Sequence, residues 1–282
     1  MKVLSVVSSL PYPPDDGTRS TAWNFIRALN SIADVTVCTW VTGKEDPDHI
    51  AQVRSAVKEL ITLADRGGRP TWPERIEFRA RSLMLRVPPY ILEKRDRCDP
   101  MPELDGFDLA VAEEDAALML MPPFRCPVVV HRHNIFPDTI RTLRSSGALG
   151  TARKLKWISE MPMWRRYNRE LSEKATVSIA TTPEAAESLR RVLPGVDVFV
   201  VCNGVKIPEE QLIPGPQPRG IFTGVMDYEP NADAATSFVR DLWPRIVSEV
   251  PDASFQIIGR NPLKKVLRLS GQGVDVVGGV PD

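Results

Sequence analysis

The sequence is poor in the residues that build disulfide frameworks and metal sites. Its 282 residues include four cysteines, and no pair of them has CxxC or metal-ligand spacing. The acidic clusters around Asp15 and Glu113 have no histidine or cysteine at ligand spacing, so we expect no bound metal. We interpret the thiols as reduced side chains of a cytosolic protein. They are Cys38, Cys98, Cys126 and Cys202.

An excess of positive charge and a long apolar run are also missing. Lys plus Arg and Asp plus Glu both number 36, so the basic excess typical of nucleic-acid-binding proteins is absent. No run approaches the ~18 apolar residues that span a bilayer. The stretch Val3 to Leu10 resembles a short signal peptide, but it contains three serines and lacks a small-residue cleavage site. We interpret it as the first buried strand.

Two sequence signatures of common α/β enzymes are absent as well. No G-x-S-x-G elbow occurs, which disfavours an α/β-hydrolase. No full G-x-G-x-x-G follows a predicted strand, which counts against a dehydrogenase.

What the sequence does contain is a regular alternation of short apolar strands and amphipathic helices. Such alternation predicts an α/β fold built on parallel sheets. The stretch from Lys206 to Pro218 is rich in proline and is typical of an interdomain linker. We therefore predict a Rossmann-like domain over residues 1–206, a linker over 207–218 and a partial second Rossmann-like domain over 219–282.

The loop after the first predicted strand is a candidate anion site. It contains Gly17, and a helix is expected to begin near Arg19 with Thr18 or Ser20 as its cap. Free N–H groups and the positive dipole end of such a helix favour an anion, and Arg19 can add a charged fork. The alternative is an ordinary strand-to-helix loop.

Glu113 follows a predicted strand that runs from Phe107 to Ala112. Ligands of open α/β sheets gather at the carboxyl ends of the strands, so Glu113 is a candidate for binding an acceptor hydroxyl. The alternative is that the three acids Glu113, Glu114 and Asp115 begin a helix, where they suit the helix dipole.

His133 and Asn134 follow the next strong strand, predicted from Pro127 to His131. A lone histidine is more often a structural hydrogen-bonding group than a catalyst. Its place after a strand end, where ligands of such sheets bind, favours a functional role here.

Two predicted helices mix basic and apolar residues. Over Pro73 to Val87, Ile76, Ala80 and Leu83 share one stripe, with four arginines around it. Over Thr139 to Lys174, basic residues alternate with aromatic and aliphatic ones. Both patterns are typical of surface helices, and the alternative for both is peripheral contact with an anionic membrane face.

The last stretch of the chain carries the most specific pattern. It reads as a strand ending at Gly224, a loop, a helical run from Asn231, and two further strands, from Ser254 to Ile258 and from Val274 to Val277, which is the start of a doubly wound nucleotide-binding sheet. Pro244 lies inside the helical run and should kink it or end it early. The string FTGVMDYEPNADA, supported by IIGRNP and VVGGVPD, resembles the opening of the donor-binding domain of glycosyltransferase family 4, which has the two-Rossmann (GT-B) fold. The resemblance covers nearly the whole chain, and its sharpest local pattern is closest to sugar transferases of exopolysaccharide assembly.

The resemblance implies retaining transfer of a sugar from a nucleotide-sugar donor, held by the second domain, to a saccharide or lipid-linked acceptor, held mostly by the first. It implies no cofactor or metal, because basic side chains and helix N-termini meet the charge on the departing diphosphate. The implied catalytic residue is His133. The implied acceptor-binding residues are Gly17, Arg19, Glu113 and Asn134. The implied donor-binding residues are Asn203, Gly204, Gly224 and Arg260.

The chain departs from the family pattern in three places. It has one glycine in the first loop where many relatives have two, and it reads HNIF where relatives often read HNIE. Relatives also continue beyond the position of Asp282, with a paired-glutamate motif that grips the donor. We therefore expect residues 1–282 alone to show no transfer, because charged hydrogen bonds to the donor would be lost.

Two alternatives to a transferase stay open at this point. A nucleotide-sugar epimerase uses the same two-domain plan, and a non-catalytic binding module or remnant would keep the fold without turnover. We expect a cytoplasmic protein, with peripheral contact to the inner face of the membrane as an open alternative.

Overall fold

The computed structural model describes residues 1–68, 70–132, 151–193, 195–204, 215 and 217–280. These residues form two compact units, one within residues 1–205 and the other within 206–282. The strands of the first unit are β1 (Lys2–Val7), β2 (Asp34–Val41), β3 (Glu59–Ala64), β4 (Leu109–Glu113), β5 (Val128–Arg132), β6 (Val177–Ala180) and β7 (Asp197–Val200). Its described helices are α1 (Gly17–Asn30), α2 (Pro47–Ala56), α3 (Trp72–Leu85), α4 (Pro89–Arg97), α5 (Glu114–Leu120), α6 (Thr151–Ser172) and α7 (Pro183–Val192).

The seven strands of the first unit form one parallel sheet with the order β3-β2-β1-β4-β5-β6-β7. The direction in which strands are added reverses between β1 and β4, which makes this pair the switch point of a doubly wound fold. Glu113 is in register with Val7 of β1 on one side and with His131 of β5 on the other. The carboxyl ends of three central strands therefore meet at Glu113.

The inner strands β1, β2 and β4 of the first sheet are buried on both faces, and their side chains divide by parity. On β1, Leu4 and Val6 pack into one core cluster, while Val3 and Val7 pack into another. Helix α1 covers the second cluster through Ala22 and Ile26, and helices α4, α5 and α6 cover the first. Parallel sheets are covered in this way because their crossover helices lie on the faces. The prediction of a first buried strand is thus confirmed by β1, which lies inside the sheet between β2 and β4.

Strand β7 is one edge of this sheet. Its Phe199 is 58% exposed. Arg190 of α7 donates from Nη2 to the carbonyl oxygen of Val198 at 2.8 Å, so a side chain occupies one of the edge carbonyls. Helix α7 itself begins as the sequence predicts, with the Thr182 hydroxyl accepting from the N–H of Ala185 and Pro183 in the first turn.

The second unit has three parallel strands in the order β10-β9-β8. Their bounds are β8 (Arg219–Thr223), β9 (Ser254–Ile258) and β10 (Val274–Gly278). The helical segments are α8 (Glu229–Ser237), a π-helical turn (Phe238–Leu242), α9 (Trp243–Glu249) and α10 (Lys264–Leu267). One core cluster holds them together, centred on buried Met226, Phe255 and Ile257. Both units are Rossmann-like layers of parallel strands and helices, which confirms the predicted α/β fold.

Two local predictions of the helices need correction, and one is confirmed. Asp16, and neither Thr18 nor Ser20, caps α1, because its carboxylate accepts from the N–H of Arg19 at 2.9 Å. Helix α8 begins at Glu229 rather than at Asn231, whose side-chain amide instead donates to the carbonyl of Val225 at 3.0 Å. The predicted interruption near Pro244 is confirmed, because the missing N–H is accommodated in the first turn of α9 after the π-helical turn. Helix α4 was not predicted.

Candidate functional site

A buried acid–histidine pair lies at the switch point of the first sheet. Nδ1 of His131 and Oε2 of Glu113 are 3.0 Å apart, and both residues are 2% exposed. A carboxylate only accepts, so Nδ1 carries the proton in this hydrogen bond. The other ring nitrogen, Nε2, is shielded from solvent. The pair fixes the ends of β4 and β5 to each other.

The pair lies on the sheet face that α1 covers. The rings of Phe25 in α1 and His131 have centroids 4.5 Å apart. Helix α1 begins at Gly17, and its N-terminus is the candidate anion site. The acid–histidine pair therefore packs against the helix that carries this candidate site. Glu113 is therefore at the predicted edge of the sheet, but its carboxylate serves His131 instead of facing open solvent.

A buried arginine forms a second polar network on the opposite face. Arg132, the last residue of β5, is 3% exposed. Its Nε donates to Asp115 Oδ1 at 2.8 Å and its Nη2 donates to Ser172 Oγ at 2.9 Å, while Nη1 contacts Ser178 Oγ. The guanidinium thus links β5 to α5, α6 and β6. Such a network holds the end of β5 in one position.

The junction between β4 and α5 carries backbone strain. Glu114 has φ of 73°, in the left-handed region that residues with a side chain rarely adopt. It stands between Glu113, which binds His131, and Asp115, which binds Arg132. The alternative that these acids begin a helix is confirmed for Glu114 and Asp115, while Glu113 is the last residue of β4.

The first loop is less positive than its arginine indicates. Arg19 forms ion pairs with Asp15 at 3.1 Å and with Asp16 at 3.8 Å. Gly17 is the first residue of α1, its φ is not positive, and a Cβ added to it would meet nothing within 4 Å. No part of the described chain requires glycine here, so the open space beside Gly17 is available to a ligand.

In the second unit two glycines bring two strand ends into contact. A Cβ on Gly259, after β9, would lie 1.6 Å from the carbonyl oxygen of Gly224, after β8. The N–H of Gly224 donates to Ile258 O at 3.1 Å, and the N–H of Met226 donates to Arg260 O at 3.0 Å. Gly224 and Arg260, predicted separately, are thus brought to the same edge of the second sheet by these hydrogen bonds.

Charged side chains surround this edge at the surface. Asn261, with φ of 53°, donates to Asp227 at 3.2 Å. Nζ of Lys265 donates to Glu229 at 2.8 Å and to Asp233 at 2.6 Å, which ties α10 to α8. Desolvation lowers the pKa of Lys265, but the hydrogen bonds to Asp233 and Glu229 outweigh it and the net pKa is raised.

Four predicted site residues are placed differently or not described. His133 and Asn134 lie outside the described residues, immediately after Arg132. Asn203 and Gly204 are exposed after the edge strand β7, and neither has the positive φ predicted for an Asn-Gly turn.

Sequence reasoning missed His131 and the network of Arg132. His131 is the last residue of the predicted strand, and His133, which follows the strand, is the histidine predicted to be functional. The signal was available, because a parallel sheet places the last residues of neighbouring strands side by side, and Glu113 and His131 are both such residues.

The described residues hold no group of three or more His, Cys, Asp or Glu side chains arranged to bind a metal. The four cysteines are free, and burial raises the pKa of Cys38 to about 12 and that of Cys98 to about 11. These two thiols are therefore poor nucleophiles. No helix in the described parts of the chain has the length and apolar character needed to cross a membrane.

The fold is shared with several solved proteins. The chain aligns over 100% of its length with 70% of Anabaena Alr3699/HepE, crystallised with UDP and glucose, at a TM-score of 0.54 and 13% identity. It aligns over 99% of its length with 77% of an S. aureus TarM variant, crystallised with fondaparinux, alpha-GlcNAc-glycerol and UDP, at 0.55 and 10%. A putative UDP-N-acetylglucosamine 2-epimerase from Listeria monocytogenes matches at 0.54 and 14%, over 99% of this chain and 69% of that one.

No protein-family model matches the chain, and no curated protein matches it in sequence. At these identities the structural likeness establishes the two-Rossmann fold, the same fold as predicted from the sequence.

Proposed function

We propose that this chain serves in the transfer of a sugar from a nucleotide-sugar donor to a saccharide or lipid-linked acceptor, in polysaccharide or glycoconjugate synthesis at the cytoplasmic side of the cell. The observation that carries the proposal is the pair of Rossmann-like units, with Glu113 at the carboxyl end of β4 in the first and with Gly224 and Arg260 after β8 and β9 in the second. Solved proteins of the same fold, HepE and TarM, were crystallised with UDP.

On the acceptor side, the proposed contacts are Gly17, Arg19 and Asn134, with Glu113 acting through His131. The open space at Gly17 leaves room for a hydroxyl-bearing ligand beside the N-terminus of α1. Arg19 is paired with two carboxylates, and one positive charge against two negative ones leaves this cluster net negative, so an uncharged saccharide fits the loop better than a phosphate does.

On the donor side, the proposed contacts are Gly224 and Arg260, together with Asn203 and Gly204. Gly224 precedes α8, so the N-terminus of α8 and the guanidinium of Arg260 are the positive groups of this edge. Both are suited to the diphosphate of a donor. In the proposed reaction no metal is needed, because these groups meet the charge that develops on the leaving diphosphate.

The proposed chemistry follows the resemblance to family 4, with retention of the anomeric configuration. The acceptor oxygen forms a bond to the anomeric carbon, and the bond from that carbon to the diphosphate breaks. The acceptor proton leaves to a base, and the diphosphate takes the electron pair of the broken bond. His133 is proposed beside the transferred sugar.

A second candidate is a nucleotide-sugar 2-epimerase. It is favoured by the similar fold of the Listeria protein that is described as a putative enzyme of this kind. The two activities differ in their products, since epimerisation leaves the sugar on its nucleotide.

The test is a screen of labelled nucleotide sugars with saccharide and lipid acceptors, analysed by product mass. A glycosylated acceptor supports transfer, and a free sugar nucleotide with altered configuration supports epimerisation. Donor binding is measured in parallel by calorimetry. From the sequence we expect residues 1–282 alone to show no transfer. Donor binding without turnover by this chain, together with turnover by a version extended with a full donor half, would match that expectation.

Arg260→Ala gives the matched variant test of the donor side. A charge-assisted hydrogen bond contributes roughly 1.5–3 kcal/mol, so affinity for a UDP-sugar should fall about ten- to a hundred-fold. Arg268→Ala removes an exposed arginine of the same unit and should leave affinity unchanged. Equal effects of the two variants would contradict the placement of the diphosphate at Arg260.

A further inference from the structure

Helix α3 turns its apolar stripe toward solvent. Trp72 is 75% exposed, Leu83 is 72% exposed and Met84 is 82% exposed, while Ile76 and Ala80 between them are exposed as well. We call these five residues the α3 surface. Contiguous exposed apolar residues of this size mark interaction sites rather than ordinary surface.

The helix is attached to the protein by its other side. Ser82 is buried, and its hydroxyl donates to the carbonyl of Val87 at 2.6 Å. Arg81 forms a two-bond ion pair with Asp96 of α4. Helix α4 is anchored in turn by buried Ile91 and Leu92. The α3 surface therefore stands on a fixed support and faces outward.

Charge is sorted across the helix. Arg79 lies four residues before Leu83 and Arg75 lies three residues after Trp72, so both flank the apolar stripe. The acids are engaged elsewhere. Glu74 accepts from Thr71 in a capping box, and Glu77 lies 3.5 Å from Arg81 on the side toward α4.

We infer that the α3 surface docks the protein on a membrane of anionic phospholipid. Leucine and methionine side chains enter the acyl boundary, a tryptophan sits at the level of the headgroups, and arginines at the rim bind phosphates. The charge pattern favours this occupant over a second copy of the chain, because a symmetric dimer through this face brings its arginines together. On the side of Arg75 and Arg79 the rim is basic, although the chain as a whole has zero net charge.

The inference concerns where the protein is held, and it stands whether or not sugar transfer occurs. The test is co-sedimentation with vesicles of phosphatidylcholine alone or mixed with phosphatidylglycerol. The chain should bind the mixed vesicles, with affinity falling as salt rises. Binding should drop about five-fold for each of Arg75→Ala and Arg79→Ala, and more for the double variant Trp72→Ala with Leu83→Ala.

Matched controls come from α1 and the turn after it, where Arg27 and Ile32 are also exposed. Arg27→Ala and Ile32→Ala change the same chemistry at another surface and should bind vesicles like the wild type. All the substituted side chains are exposed, so thermal melting should be unchanged and folding is controlled for.

Three results would overturn the inference. One is equal binding to neutral and anionic vesicles. Another is binding that the α3 variants weaken no more than the controls do. The third is a dimer in sedimentation velocity that the α3 variants dissociate while vesicles bind nothing, which would assign the surface to a second copy.

Discussion

The two sheets end at their carboxyl edges in different ways. In the first unit, buried polar and charged side chains fill the edge: Glu113 and His131 on one face and Arg132 on the other. In the second unit, glycine backbones approach each other at Gly224 and Gly259, and the charged groups lie at the surface. The first edge is held by side chains and the second by main chain.

This difference separates support from contact. A buried side-chain network fixes the strand ends but uses the charges it contains, so little is left to meet a ligand. The glycine contact is made by main-chain atoms, so it does not use the side chain of Arg260 or the N-terminus of α8, and both can face a diphosphate. The second edge is the better suited of the two to an anionic donor.

The largest effect is expected from filling the glycine contact of the second unit. Gly259→Ala places a Cβ on the carbonyl oxygen of Gly224, which the backbone must move to avoid. We expect a loss of about 3 kcal/mol or more, at the upper end of overpacking costs. Hydrogen exchange should rise in peptides from residues 219–280 and stay unchanged in the first unit.

Gly279→Ala is the control for that change, because its Cβ would meet only ordinary contacts with Arg260 at 3.5 Å. If both variants exchange alike, the close approach of the two strand ends is not what holds this edge.

The next effect is expected from Arg132→Met in the first unit. It leaves Asp115 without its ion-pair partner and removes donors to Ser172 and Ser178. Breaking a buried pair from one side costs about 3 kcal/mol. Denaturant unfolding should show this loss, whereas Arg125→Met, at an exposed arginine, should unfold like the wild type. A loss under about 1 kcal/mol would mean that packing alone holds the end of β5.

A smaller effect is expected from the acid–histidine pair. Glu113→Ala leaves Nδ1 of His131 buried without its acceptor, at a cost of about 1–3 kcal/mol. Glu113→Gln keeps an amide oxygen for the same hydrogen bond and should restore most of the stability. Unfolding of both variants in denaturant decides the point. Equal destabilisation by the two substitutions would show that the negative charge, and not the hydrogen bond, is what His131 requires.

The smallest effect is expected from pH, at the ion pair after β3. Burial raises the pKa of Asp65, but hydrogen bonds from the Gly67 N–H and Lys94 outweigh it, and the net pKa is lowered from 3.8. The stability that this carboxylate contributes is present above its ordinary pKa and is lost as pH falls through the folded value. Asp65→Asn should flatten the acid limb of a stability–pH curve. An unchanged limb would assign acid unfolding to other carboxylates.

Much of the fold follows from hydrophobic periodicity. The strand from Ser254 to Ile258 was predicted with its exact bounds, and the interruption at Pro244 follows from the missing N–H of proline. Helix α4 was not predicted, because it is short and begins at the second of two consecutive prolines. The cap of α1 was misplaced because Asp16, Thr18 and Ser20 are all residues that cap helices, and composition alone does not choose among them.

The candidate site was less predictable, because its contacts depend on register. Glu113 and His131 are 18 residues apart and meet only because β4 and β5 pair at their last residues. Hydrophobic periodicity likewise predicts the apolar stripe of α3, but it does not predict whether that stripe faces the core or the solvent. That direction depends on which side Ser82 and Arg81 attach to the protein.

The open edge at β7 bears on how the protein behaves in concentrated solution. Within the described residues no strand pairs with the outer side of β7, and such an edge is a template on which chains add to one another. Phe199, Val200 and Val201 are exposed there. Arg190 protects this edge, because its side chain donates a hydrogen bond to the carbonyl oxygen of Val198. We therefore expect the solubility of the protein at high concentration to depend partly on the guanidinium of Arg190. Substitution of Arg190 should cause aggregation rather than unfolding.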